Sequence, residues 1–291
     1  MTIANSQIPK EAFLEIMQLI NTLPTLITRN KLGALVELWN LCENKDQQEL
    51  ISDLLMNFFI FDMEKELIAC NKISEYINSL GLNHRNTLVI AAANADEIDG
   101  SGAGLQKLKD KLVDAENWHS RLISNIPAGA RKVKDNFTII FFDDFIGSGS
   151  KIIKKKKWFE KIIAEECPLV DLNTLSYYIV SFAGMFSGLD YIIEESKIIP
   201  FSAFILFKGI SDAEKYNDCV PNKIALMKEI ESKLAVKNKQ KNLDDFSLGY
   251  NNSETLYFSV NENCPNNVFP VFWWPKDKDG AIRETLLRRV G

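Results

Sequence analysis

The sequence is short of proline and glycine, 9 and 14 among 291 residues, which excludes collagen-like and low-complexity chains. Its five cysteines, Cys42, Cys70, Cys167, Cys219 and Cys264, are odd in number, far apart and never spaced C-x-x-C. That argues against a disulfide scaffold, a zinc ribbon and a dithiol redox motif. The two histidines, His84 and His119, have no metal-spaced companions and fall in no recognisable triad. No apolar run approaches the ~18 residues of a membrane span; stretches such as 54–61 and 177–186 are short and interrupted. The opening MTIANSQIPK has no basic stretch leading into an apolar one, so no secretory signal is read there. A reduced, soluble, cytoplasmic protein is expected. Lysine and arginine number 34 against 39 acidic residues, a net charge of −5, so any polyanion site must be local.

What the chain does have is a globular share of apolar residues, 46%, arranged with two different periods. From Pro9 to about Leu80 the spacing is helical: Phe13, Ile16, Met17 and Ile20 recur at i, i+3, i+4, i+7, and Asp46 with Glu49 resembles a capping box. Gly81 suits the left-handed residue that closes a helix. After it come short continuous apolar runs at 87–93, 137–142, 175–182, 201–207 and 255–260. Helical patterns lie between them at about 105–124, 151–166, 189–195 and 221–236. Continuous apolar runs are how strands buried on both faces read, and strand alternating with helix predicts an α/β domain with a parallel, Rossmann-like sheet. The expected organisation is a helical segment over 1–81 and an α/β domain with a C-terminal loop and tail over 82–291.

The chemistry concentrates in Thr138-Ile-Ile-Phe-Phe-Asp143-Asp144-Phe145-Ile146-Gly147-Ser148-Gly149-Ser150-Lys151. An apolar strand ends in two carboxylates, then a Gly/Ser loop opens a helix. Glycines let successive amides turn inward, hydroxyls add donors, and the helix amino terminus adds partial positive charge. Such a loop can cradle a phosphate, while the carboxylates suit the hydroxyls of a sugar carrying it. A structural turn or another α/β site would also accommodate the pattern; the chain has no Walker A loop, and the acidic pair here is not spaced D-x-D.

These residues resemble the phosphoribosyltransferase signature. The resemblance implies that Gly147, Ser148, Gly149, Ser150 and Lys151 hold the 5-phosphate of phosphoribosyl pyrophosphate (PRPP), and that Asp143 and Asp144 contact the ribose hydroxyls. Lys151 departs from the pattern, where a hydroxyl residue is usual. It either adds charge to the phosphate site or begins the basic run 154–157.

A second glycine loop, Asp96-Glu97-Ile98-Asp99-Gly100-Ser101-Gly102-Ala103-Gly104, follows the first strand. By the same resemblance Gly100, Ser101 and Gly102 would bind pyrophosphate; a solvated connector explains them as well. Acidic groups of the two loops could hold Mg²⁺ through water and substrate oxygens.

The segment Asn261-Glu-Asn263-Cys264-Pro265-Asn266-Asn267-Val-Phe269-Pro270-Val-Phe272-Trp273-Trp274-Pro275 combines amides able to read a base edge with rings able to stack on it. Asn266, Asn267 and Trp273 are its candidates for base or acceptor binding, against a plain aromatic packing loop. Together with the Asp-Asp-Phe-Ile-Gly-Ser-Gly loop, it is similar to the phosphoribosyltransferase-like effectors of bacterial conflict and anti-phage systems over about 85–275. That likeness implies a toxic transferase acting on PRPP or a nucleotide, and a setting beside retron reverse transcriptases, their nucleic acid and a winged-helix partner. A nucleotide-sensing subunit without chemistry, or a docking subunit using the first 80 residues, fits the lack of an obvious general base. The run 154–157, the segment 127–134 and Arg283, Arg288 and Arg289 read as surface charge or as partner contacts.

Overall fold

The computed structural model describes residues 13–23, 32–95, 100–260 and 263–290. The first elements are α1 (Phe13–Thr22), α2 (Leu32–Asn40), α3 (Lys45–Met56), β1 (Phe59–Phe61) and α4 (Met63–Ser79). They are followed by β2 (Thr87–Ala91), α5 (Gly100–Leu108), α6 (Ala115–Trp118), β3 (Leu122–Ile123), α7 (Ile126–Ala130), β4 (Thr138–Ile146) and α8 (Ser150–Glu166). The remainder are β5 (Ser176–Met185), α9 (Phe186–Ser196), β6 (Phe201–Leu206), α10 (Val220–Glu231), the short pair β7 (Lys237–Asn238) and β8 (Lys241–Asn242), and β9 (Tyr257–Ser259). No helix among the described residues is long and apolar enough to cross a membrane.

Packing divides the chain at other points than residue 81. Met63–Leu206 forms one unit, and Met1–Asp62 with Phe207–Gly291 forms the other. The helix α4, which the sequence grouped with the N-terminal helices, belongs to the sheet unit: Tyr76 stacks on Phe201 at 4.3 Å, and Lys72 Nζ donates to the Ala203 carbonyl at 3.0 Å. An amphipathic pattern tells that a helix has an apolar face, not which surface covers it.

The sheet unit carries the expected parallel sheet, of five strands in the order β3-β2-β4-β5-β6. Each residue of β2 is buried, as its unbroken apolar run required. On one face, Ile139 and Phe141 of β4 pack with Ile152, Ile153 and Phe159 of α8 and with Ile192 of α9. On the other, α5 lies so close that a Cβ at Gly104 would sit 2.8 Å from the Phe142 ring.

Three elements differ from the sequence expectation. The pattern at 105–124 is not one helix: Asp114 is left-handed (φ 57°), α5 ends before it, and a two-residue strand, β3, follows. The expected strand at 255–260 lies outside the sheet; β9 pairs in parallel with β1, Phe59 opposite Tyr257. The capping box of α3 sits two residues earlier, where Asn44 accepts from the Gln47 amide at 3.0 Å and Gln47 Oε1 accepts from the Glu43 amide at 2.8 Å.

The second unit is built around Trp39, Phe269, Phe272 and Trp274, all essentially without solvent contact. Phe58 meets Phe272 edge-on at 5.1 Å, and the buried Arg283 donates to the Trp274 and Val271 carbonyls at 3.0 and 3.2 Å. Burial raises the Glu231 carboxyl from 4.5 to about 7, against the opposing hydrogen bonds from Ser247 and Leu248. The folded chain therefore holds a proton that the unfolded chain has released, and this contribution to stability is present below about pH 4.5 and lost as pH rises through about 7. Thermal denaturation should show stability falling by up to ~3 kcal/mol between pH 4 and 8, with Glu231→Gln flattening the profile. An unchanged profile in that variant would acquit Glu231.

Candidate active site

β4 does not stop before the acidic pair. It continues through Ile146, with Asp143 opposite Ser181 and Phe145 opposite Ala183 on β5. Successive strand residues face opposite ways, so Asp143 shares the α8 face with Phe141, and Asp144 shares the α5 face with Phe142. Their surroundings differ accordingly. Asp143 is 1% exposed, and its Oδ1 accepts from Lys151 Nζ at 2.8 Å. Asp144 is half-buried and makes no ion pair with any described residue.

Lys151, in the first turn of α8, thus sets its ammonium against the buried carboxylate on β4. Further along α8, Lys155 bonds to Asn94, just past β2, and Lys156 pairs with Glu160 at 2.5 Å and lies over the Tyr177 ring. Only Lys154 and Lys157 of the run are exposed.

The Gly/Ser loop is held by backbone packing. Gly149 is left-handed (φ 75°) and precedes α8 without a side-chain cap, while Ser148 Oγ and Ser150 Oγ are 3.2 Å apart. Gly188, in the first turn of α9, abuts it: a Cβ there would lie 2.9 Å from the Gly147 carbonyl carbon and 3.1 Å from the Gly149 nitrogen. This residue escaped the sequence reading. Its one signal is a glycine in the first turn of a helical pattern, where it weakens the helix unless something approaches closely.

Gly100, Ser101 and Gly102 are not a loop but the first turn of α5, which begins five residues before the expected position. Close packing explains the glycine at position 100: a Cβ there would lie 2.7 Å from the Asp144 carboxyl carbon. The first turn of α5 is thus brought against the half-buried member of the acidic pair, and Ser101 is buried. Residues 96–99, with Asp96, Glu97 and Asp99, lie outside the described residues. Among the described residues no cluster of three His, Cys, Asp or Glu side chains comes together.

Asn266, Asn267 and Trp273 belong to the other unit. Asn267 is buried and its Nδ2 donates to Ser253 Oγ at 3.2 Å. Trp273 is buried too, its Nε1 donating to the Val268 carbonyl at 2.8 Å. Asn266 is half-buried, and its carbonyl accepts from the Tyr250 amide at 2.9 Å. The neighbouring Asn261 lies outside the described residues.

The PRTase-CE family model matches residues 30–289. Among solved structures, orotate phosphoribosyltransferase from Aeropyrum pernix aligns with a TM-score of 0.31 at 13% identity, over 50% of this chain and 72% of that one. The AQ2163 protein from Aquifex aeolicus aligns with a TM-score of 0.30 at 9% identity, over 71% and 88%. No curated protein matches the sequence.

Proposed function

The chain belongs to the PRTase-CE family, and on that premise we propose that its sheet unit binds a 5-phosphorylated ribose, as PRPP or a nucleotide, and transfers or cleaves the bond at its anomeric carbon. The observation that carries this reading is the meeting of Gly100 with Asp144. It joins the first turn of α5 to a carboxylate whose strand leads directly into the Gly147–Ser150 cradle, so an acceptor for the sugar hydroxyls and donors for the phosphate lie near the carboxyl ends of β2 and β4.

The two carboxylates then have separate tasks. Asp144 accepts from the ribose hydroxyls. Asp143, held by Lys151, fixes the start of α8 and the loop whose amides and hydroxyls hold the phosphate. As the bond from the anomeric carbon to its leaving group breaks, the electron pair departs with pyrophosphate or base. Positive character builds on the ribose, and the negative charge of Asp144 stabilises it more than it stabilises the ground state. Asp144 would help hold Mg²⁺, which would supply positive charge to neutralise the leaving group. We place this activity in bacterial defence, as a toxic effector working with a reverse transcriptase and a winged-helix protein, on the combined likeness of the acidic loop and the aromatic C-terminal segment.

A sensing role draws on the Lys151–Asp143 pair, which leaves one unpaired carboxylate and supplies no base. Incubation with PRPP or NAD and Mg²⁺, followed by mass analysis of the small molecules and of added RNA and protein, separates the two. For the cradle itself, Ser148→Asp sets a carboxylate against a phosphate at short range on a half-buried loop residue. Calorimetry should show no binding of ribose 5-phosphate to this variant at unchanged melting temperature. Wild-type affinity would remove the cradle from the reading.

A further inference from the structure

On the flank of α5 away from Asp144, the sheet unit has a cleft of roughly 170 Å³, walled by Leu105 and Leu122 and edged by Gln106, Lys109, His119 and Ser124. It opens at the carboxyl end of β3, and Gly102 of α5's first turn lies across from the Ser124 carbonyl, 3.8 Å from where a Cβ would be. Among the described residues no carboxylate lines it. Of the neighbouring lysines, Lys107 pairs with Glu66, and Lys111 with Asp110 at 2.7 Å. Lys109, between them, makes no ion pair with any described residue. Ser124 Oγ accepts from Asn125 Nδ2 at 3.2 Å, so its own proton remains to donate. An ammonium, an imidazole, a hydroxyl and a side-chain amide thus border one concavity, with no acid from the described residues among them.

We propose that this cleft is a second phosphate site, distinct from the Gly147–Ser150 cradle, which takes the phosphoryl group of a phosphomonoester or inorganic phosphate. Its size lies below the ~300–1,000 Å³ of pockets that enclose drug-sized ligands. The phosphoryl group alone is enclosed, and whatever it is attached to projects into solvent. The site needs no ribose and does not depend on the sugar-phosphate reading.

The chain's two histidines make the test direct. His119 edges the cleft, whereas His84 precedes β2 at the opposite end of the strands. In proton NMR, added inorganic phosphate should move the His119 imidazole signals saturably and leave those of His84 in place, with sodium chloride at equal ionic strength as the control. Lys109→Gln should weaken the apparent phosphate affinity about fivefold, the effect of one charge-assisted contact at a partly exposed site. Ser148→Asp should keep the His119 response, because that substitution blocks only the cradle. Uridine 5′-monophosphate binding more tightly than phosphate would identify a monoester as the occupant, and equal or weaker binding would identify the free anion. A His119 response that chloride reproduces, that ignores Lys109→Gln, or that disappears in Ser148→Asp overturns the second site. Failure of ribose 5-phosphate to bind wild-type protein would overturn the cradle alone.

Discussion

Gly188→Ala is expected to weaken binding of ribose 5-phosphate by about 10- to 100-fold, although residue 188 carries no side chain and touches no ligand in the proposed reading. Extra atoms in a packed interior cost about 1–3 kcal/mol when neighbours must shift. Here the neighbours are backbone atoms of Gly147 and Gly149, which cannot rotate away as a side chain would. The loop must move or α9 must lift, and both displace the amides meant for the phosphate. Calorimetry with ribose 5-phosphate, alongside amide exchange at 147–150, reads the effect. Native affinity with native exchange would show that the contact is incidental to the cradle.

The second large effect concerns the unequal carboxylates. Asp144→Asn keeps volume and hydrogen bonding at a half-buried position without an ion pair, so it should leave stability within about 0.5 kcal/mol. Turnover, or toxicity to a host cell, should fall by about 100-fold or more, and by a larger factor than ligand affinity, because the missing charge acts mainly in the transition state. Asp143→Asn should invert this pattern. Removing the charge of a 1%-exposed carboxylate bonded to Lys151 lowers stability by about 1–3 kcal/mol, and activity declines because the loop loosens. A sensor would instead lose signalling in proportion to occupancy in both variants. Full toxicity of a folded Asp144→Asn protein would take this residue out of the mechanism.

The local elements of the candidate site are more legible in the sequence than its geometry is. The order of apolar strand, acidic pair and Gly/Ser turn is local, and so is the start of α8 at Ser150. That β4 runs on through Asp143 to Ile146 is not local. Aspartate is disfavoured in strands, and only the partner residues Ser181, Ala183 and Gly184 on β5 keep the ladder going. The early start of α5 was hidden for a related reason: Gly100, Ser101 and Gly102 read as a loop by propensity, and the close surfaces of Asp144 and Phe142 are what require Gly100 and Gly104 to be small. β3 is two residues long and has no periodicity to detect. The grouping of α4 with the sheet rests on Tyr76 meeting Phe201, a pairing between residues far apart in the chain.

The parallel pairing of β1 with β9 also bears on the order in which the protein is assembled during translation. Met63–Leu206 is contiguous, so once it has left the ribosome every strand of its sheet is present and the unit can close. The other unit needs Phe59–Phe61 and Tyr257–Ser259 together, and at ~5–20 residues per second the second of these emerges about 10–40 s after the first. During that interval Trp39 and the apolar faces of α2 and α3 wait for Phe269, Phe272 and Trp274. The nascent chain should therefore carry a finished sheet unit beside an unsealed aromatic core, and depend on chaperones at that stage of synthesis.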